Sequence, residues 1–173
     1  LSATSGFGKD EVSVVTIGEG STSEGEFWEA LNAATTRKLP VLFLVEDNKF
    51  AISTPVQVNT PAGSISKVVR GYPGLFLAET DGCDFLASYD ALKWAFAYCR
   101  ERKGPALVHA HVVRPYSHSL SDDDRLYRTE EERRKDAELD PLGRMEALLL
   151  KHGLLDAAGL EALKAEVDAE LTA

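Results

Sequence analysis

A chain of 173 residues suffices for one domain with its own core, and 44% hydrophobic against 27% charged residues is the balance of a globular protein. The formal net charge of −9 argues against a nucleic-acid partner, since Arg133, Arg134 and Lys135 sit among Glu130, Glu131, Glu132 and Asp136 as on a solvated helix face. No apolar run approaches the ~18 residues of a membrane span. Two cysteines, Cys83 and Cys99, offer neither a disulfide framework nor metal-site spacing, so a reducing, cytoplasmic setting is expected.

The opening residues carry no initiator methionine and soon enter a β-branched run, Val12 to Ile17, which reads as the interior of a longer protein. That run ends at Gly18, as a central parallel strand does. Phe27, Trp28, Leu31 and Ala34 then recur at helical spacing between Glu24 and Arg37. Pro40 stops the helix and Val41 to Val45 makes a second buried strand, so the first unit is strand, helix, strand. Thr54-Pro55 and Thr60 to Gly63 mark a loop, with a short helix expected over 65–70.

A third strand is expected over 75–79, a long amphipathic helix over 88–102, and a fourth strand over 106–113. The stretch from Ser117 to Asp124 is polar, with only Leu120 to anchor it, and reads as a loop that orders on binding. Helical segments near 141–152 and 157–169 close the chain. The pattern is α/β with a mostly parallel sheet flanked by helices. Residues 1–135 form the α/β body, and 136–173 form a helical tail of the same unit.

The chemistry begins at Gly18-Glu19-Gly20, directly after a buried strand. Ligands of open α/β sheets bind at the carboxyl ends of strands. Glycine lets the backbone approach a phosphate, the next helix offers N–H groups, and a carboxylate there can hold Mg²⁺. Asp47-Asn48 ends the next strand, so two adjacent strands bring Glu19 and Asn48 to one edge of the sheet. A carboxylate and an amide oxygen converging there suit a hard cation.

With these residues in place, the chain resembles the thiamine-diphosphate enzymes, whose Gly-Asp-Gly signature and downstream asparagine bind Mg²⁺ and, through it, the cofactor diphosphate. Ser23-Glu24-Gly25-Glu26-Phe27 and Asn48 through Pro55 narrow the resemblance to alpha subunits of 2-oxo acid dehydrogenases, particularly the branched-chain type. Asp81-Gly82-Cys83-Asp84, and Arg114 through Arg128 with His118-Ser119-Leu120-Ser121, resemble the turn and active-site loop of the same proteins. The resemblance implies a thiamine-diphosphate-binding fold. It implies metal ligation by the Glu19 and Asn48 side chains and the Phe50 carbonyl. Cofactor contacts are implied at Gly18, Glu19, Gly20, Ser21, Asn48, Phe50, Ile52 and His118, with His118 in a catalytic role.

The implied reaction is decarboxylation of a 2-oxo acid and acyl transfer to a lipoyl group on an acyltransferase partner. A beta subunit or beta half would complete the site, in a dimer or an alpha2-beta2 assembly, and the fragment alone would be inactive. Two other readings stand beside it: a transketolase-like enzyme, suggested by Glu24-Gly25 with Trp28-Glu29-Ala30, and a non-catalytic assembly subunit in which Glu19 marks a lapsed site. Ser119 sits where some relatives are phosphorylated and is read as an unregulated loop serine. His109 and His111 alternate on a strand and share a face. They are read as packing residues, no third ligand suggesting zinc. His152, before Gly153, reads as a helix-end residue.

Overall fold

The computed structural model describes residues 10–172. Four strands, β1 (Ser13–Gly18), β2 (Val41–Asp47), β5 (Phe76–Asp81) and β6 (Ala106–His111), form one sheet in the order β1-β2-β6-β5. Every pairing in that sheet is parallel. The expected α/β architecture with a parallel sheet is therefore present, and the two first strands are neighbours.

Alternation along the strands divides the core in two. One face carries Phe43, Val45 and Leu107 against Phe27, Leu31 and Ala34 of helix α1 (Gly25–Thr36) and Ile65 and Val69 of helix α3 (Ile65–Val69). The other carries Leu42, Ala106 and Val108 against Ala95 and Cys99 of helix α4 (Phe85–Arg100). Cys83 and Cys99 are both free and buried, and burial pushes the Cys99 thiol up to about 11, so both behave as packing residues.

Three expectations need correction. Helix α4 begins at Phe85, not Ser88, because Asp84 caps it: its Oδ1 accepts the Ala87 N–H at 2.9 Å. The loop expected over 54–63 is a run of short elements: β4 (Thr54–Pro55), paired antiparallel with β3 (Phe50–Ala51) just before it, helix α2 (Val56–Asn59) and a 3-10 turn over Pro61–Gly63. Proline and glycine punctuate these short elements, and Ile52 and Ala62 take left-handed backbone between and within them. Leu120 is no anchor, standing fully in solvent.

The charged stretch is the solvated helix its composition suggests: α5 (Glu130–Glu138) has no buried residue and opens with a capping box between Thr129 and Glu132. Helices α6 (Pro141–Lys151) and α7 (Ala157–Leu171) follow. Arg144 of α6 reaches back to Asp81 at 2.8 Å and Asp84 at 3.3 Å, at the end of β5 and the start of α4. His152 is the C-terminal cap of α6, as its place before Gly153 suggested.

Candidate functional site

Strand β1 delivers Gly18 and Glu19 to the carboxyl edge of the sheet, and β2 delivers Asp47 and Asn48 beside them. The chain does not pass straight into α1. Glu19–Ser23 winds into a 3-10 turn first, and α1 starts only at Gly25, so the N–H groups nearest Gly20 belong to the turn rather than to the long helix. The Thr22 hydroxyl ties this turn back to the Glu19 carbonyl at 2.6 Å.

Gly20 is required by a close approach. A Cβ there would lie 2.6 Å from the Ala51 Cβ, so glycine lets the β1 turn sit directly on the β3–β4 pair. That pair is held in an uncommon backbone, with Lys49 at φ +73° and Ile52 at φ +55°. Left-handed non-glycine residues cost of order 1–3 kcal/mol each and tend to gather at functional sites.

Glu19 is 2% exposed, and burial pushes its carboxyl up, against the hydrogen bonds from its own and the Asn48 backbone N–H. Its Oε2 accepts the Asn48 N–H at 3.2 Å, while Oε1 is buried and has no hydrogen-bond partner among the described residues. A carboxylate oxygen buried without a donor is costly unless a cation or proton meets it. The Asn48 Oδ1 accepts the Phe50 N–H at 3.3 Å and keeps a second lone pair free. Carboxylate, amide and carbonyl oxygens on one edge make a donor set suited to a hard divalent cation.

All eight residues singled out in the sequence, Gly18, Glu19, Gly20, Ser21, Asn48, Phe50, Ile52 and His118, line one open cleft of about 470 Å³. Ser23, Glu24, Ala51 and Asn59 complete its wall. Asn59 belongs to a helix that the sequence reading had taken for a loop. The polar loop carrying His118 hangs on a buried cation: Arg128, 4% exposed, donates to Asp124, Asp136 and the Arg114 carbonyl. Arg114 in turn holds the Tyr127 hydroxyl at 2.6 Å, and that hydroxyl donates to Asp122 at 2.6 Å. Repeated aspartates in a loop signal such tethers only once the arginines facing them are known.

A second polar group lies on the α3 side of the sheet and was missed as a unit. His109 is fully buried, its Nε2 2.9 Å from Asp47 Oδ2 and its Nδ1 3.2 Å from the Ser66 hydroxyl. His111 places Nε2 2.7 Å from Glu79. Burial alone would raise the Asp47 carboxyl, but the hydrogen bond with His109 and the Lys49 N–H outweigh it and hold it below the ordinary value.

A parallel α/β sheet with a glycine-lined cleft at its carboxyl edge places this chain among the open α/β proteins, a class whose ligands bind at strand ends. Comparison with known proteins makes this specific. The dehydrogenase E1 component family matches residues 3–173, and the chain belongs to that family.

The chain is 34% identical over 164 residues to the pyruvate dehydrogenase E1 component subunit alpha of Mycoplasma genitalium, covering 94% of this chain and 45% of that protein. It is 40% identical over 147 residues to the 2-oxoisovalerate dehydrogenase subunit alpha of Bacillus subtilis, covering 85% and 44%. The somatic mitochondrial pyruvate dehydrogenase E1 alpha subunit of Bos taurus is 38% identical over 169 residues, covering 95% and 40%. The chain thus spans under half the length of these curated relatives. Among the described residues no helix is long and apolar enough to cross a membrane.

Proposed function

We propose that this chain supplies the metal- and diphosphate-binding half of a thiamine-diphosphate-dependent 2-oxo acid dehydrogenase. The observation that carries the reading is the Glu19 carboxylate, buried beside Asn48 at the carboxyl edge of the sheet with Oε1 lacking a partner among the described residues. Mg²⁺ on Glu19, Asn48 and the Phe50 carbonyl would neutralise that charge and hold the diphosphate against Gly18, Gly20 and Ser21. Thiamine diphosphate, when bound, supplies the carbanion that removes carbon dioxide from the 2-oxo acid.

The chain's own residues position and screen. Gly20 admits the β3–β4 pair, Ile52 closes the cleft wall, and the His118 imidazole stands at the cleft where it can donate a hydrogen bond or carry a proton. A second unit, a beta subunit or half, would complete the site. The exposed Val14 and Val15 of the edge strand β1, and Phe85, Tyr89 and Trp94 along α4, are apolar surface for such a unit to cover. Acyl transfer to a lipoyl group on an acyltransferase, an alpha2-beta2 assembly and a cytoplasmic setting complete the proposal.

Calorimetric titration of the purified full-length protein with thiamine diphosphate, with and without Mg²⁺, tests the site. Binding that requires Mg²⁺ and weakens sharply in Asn48→Ala is the expected result. Equal affinity in the variant would overturn the assignment.

A further inference from the structure

The cluster on the α3 face of the sheet is unexplained by the cleft chemistry. Strands β2 and β6 pair in register with Asp47 opposite His111 and Val45 opposite His109. Two-residue alternation therefore sends Asp47, His109 and His111 to the same face, and one donor atom from each lies within 4.8 Å of the other two. On β5, Glu79 stands opposite His109 and reaches the same group. We infer that Asp47, His109 and His111 form a binding site for a borderline divalent transition-metal ion of the zinc class.

The donor chemistry differs from that of the cleft. Two imidazoles and one carboxylate favour zinc-class ions, whereas Glu19, Asn48 and the Phe50 carbonyl are all-oxygen donors that suit Mg²⁺. Around a tetrahedral ion with bonds of ~2.0–2.1 Å, ligand atoms stand roughly 3.3 Å apart. The His109 Nε2 and Asp47 Oδ2, at 2.9 Å, need to part only slightly to admit the ion between them. His111, with its side chain 45% exposed, closes by a side-chain movement and leaves the remaining position open to water.

The surrounding hydrogen bonds are those that hold metal ligands in place. A ligating histidine ordinarily gives its other ring nitrogen to a carboxylate, carbonyl or hydroxyl that fixes tautomer and orientation. For His109 that partner is the Ser66 hydroxyl, itself 2.9 Å from Ser64 and from Glu79 Oε2. For His111 it is Glu79 Oε1. The second oxygen of Asp47 accepts the Lys49 N–H at 2.7 Å, which fixes the carboxylate with Oδ2 toward His109.

The test uses the purified full-length protein without a histidine tag, stripped by chelator and then saturated with Mg²⁺. Co²⁺ is titrated in and its ligand-field absorption followed, then Zn²⁺ is added as competitor. One Co²⁺ equivalent per chain is expected, displaced by Zn²⁺, lost in His109→Gln and His111→Gln, and retained in Asn48→Ala. Glu79→Gln should weaken binding by about 10–100-fold, as loss of an orienting partner does.

His111 is half exposed, so His111→Gln keeps the test valid if the buried His109 variant fails to fold; unchanged thermal melting confirms this. Absence of a Co²⁺ equivalent in the Mg²⁺-saturated protein overturns the site, as does an equivalent that His111→Gln retains or Asn48→Ala loses. Loss in Asn48→Ala would place the ion in the cleft. Retention there leaves the cofactor reading to its own calorimetric test.

Discussion

The Asn48 N–H donates to Glu19 Oε2 at 3.2 Å across the β1–β2 pair, and this one contact leaves the other Glu19 oxygen buried and unmet. The contact fixes the carboxylate without neutralising it. Local strain at Lys49 and Ile52 shapes the wall beside it. Among the described residues no donor meets Glu19 Oε1, and this is the ground on which a cation is proposed there.

Glu19→Gln separates charge from shape. The amide removes the cost of ionising a buried carboxyl while keeping the side-chain volume, so the metal-free protein should melt at the same temperature or higher. The rise in melting temperature on adding Mg²⁺ and thiamine diphosphate should vanish, because that rise measures binding to the folded state alone. Thermal melts of both proteins, with and without ligands, decide it. A full ligand-induced rise in the glutamine variant would remove Glu19 from the metal site.

Gly20→Ala introduces a Cβ 2.6 Å from the Ala51 Cβ, between two backbones rather than against a flexible side chain. Relieving it must push β3 off the 3-10 turn. A loss of about 1–3 kcal/mol in urea unfolding is expected, as for overpacking elsewhere. Cofactor affinity should fall with it, because Asn48 and Phe50 are carried on the displaced segment. Gly18→Ala meets no atom within 4 Å and serves as the control for the unfolding measurement.

The sheet was legible because its strands announce themselves: Val12 to Ile17 and Val41 to Val45 are apolar runs stopped by glycine or by a polar pair. The cleft was legible because its residues come from two short segments at strand ends. Chain order hid what depends on cross-strand register. His109 and His111 read as packing residues, since Asp47 lies 62 residues before His109 and meets them only when β2 pairs with β6. The segment 54–63 hid its elements for a related reason: Pro55 and Pro61 punctuate short elements, here β4 and a 3-10 turn, that a window of a few residues cannot tell from loop.

Arg144 fastens α6 to the α/β body through Asp81 and Asp84. Burial would raise the Asp81 carboxyl, but the bonds from Arg144 and the Cys83 N–H outweigh it and leave its pKa below the ordinary value of 3.8. A lowered carboxylate pKa contributes stability that is present above that ordinary value and is lost as pH falls through the folded one. The pair is half exposed, so the contribution is no more than about 1 kcal/mol. Urea unfolding of Arg144→Gln should show its deficit at pH 6, and the gap to the parent should narrow progressively as pH falls below 3.8. A gap that persists undiminished at pH 3 would assign the effect to packing of the arginine stem.

The loop that brings His118 to the cleft depends on hydrogen bonds rather than apolar contact. Leu120 is fully exposed, and ordering each residue costs about 1–2 kcal/mol of backbone entropy. Against that cost stand two bonds to Asp122 Oδ2, from the Tyr127 hydroxyl at 2.6 Å and the His118 N–H at 2.9 Å. The Ser117 hydroxyl adds another by accepting the Asp124 N–H at 3.3 Å. Tyr127→Phe removes the hydroxyl and keeps the ring against Phe50. That hydroxyl makes two bonds, accepting from Arg114 and donating to Asp122. At about 0.5–1.5 kcal/mol each, their loss should quicken amide exchange over 117–124 by roughly 5–150-fold while the sheet is unaffected. Arg128→Met should do more, because it leaves the largely buried Asp124 and Asp136 without their cation, at a cost of about 3–5 kcal/mol. Hydrogen exchange measured with and without thiamine diphosphate and Mg²⁺ then tests coupling between loop and cleft. Ligand should slow exchange at 117–124 in the parent and restore part of the loss in Tyr127→Phe. Protection that ignores the ligand in both proteins would mean the loop is set by Arg128 and Asp122 alone, and His118 would lose its place in the proposed chemistry.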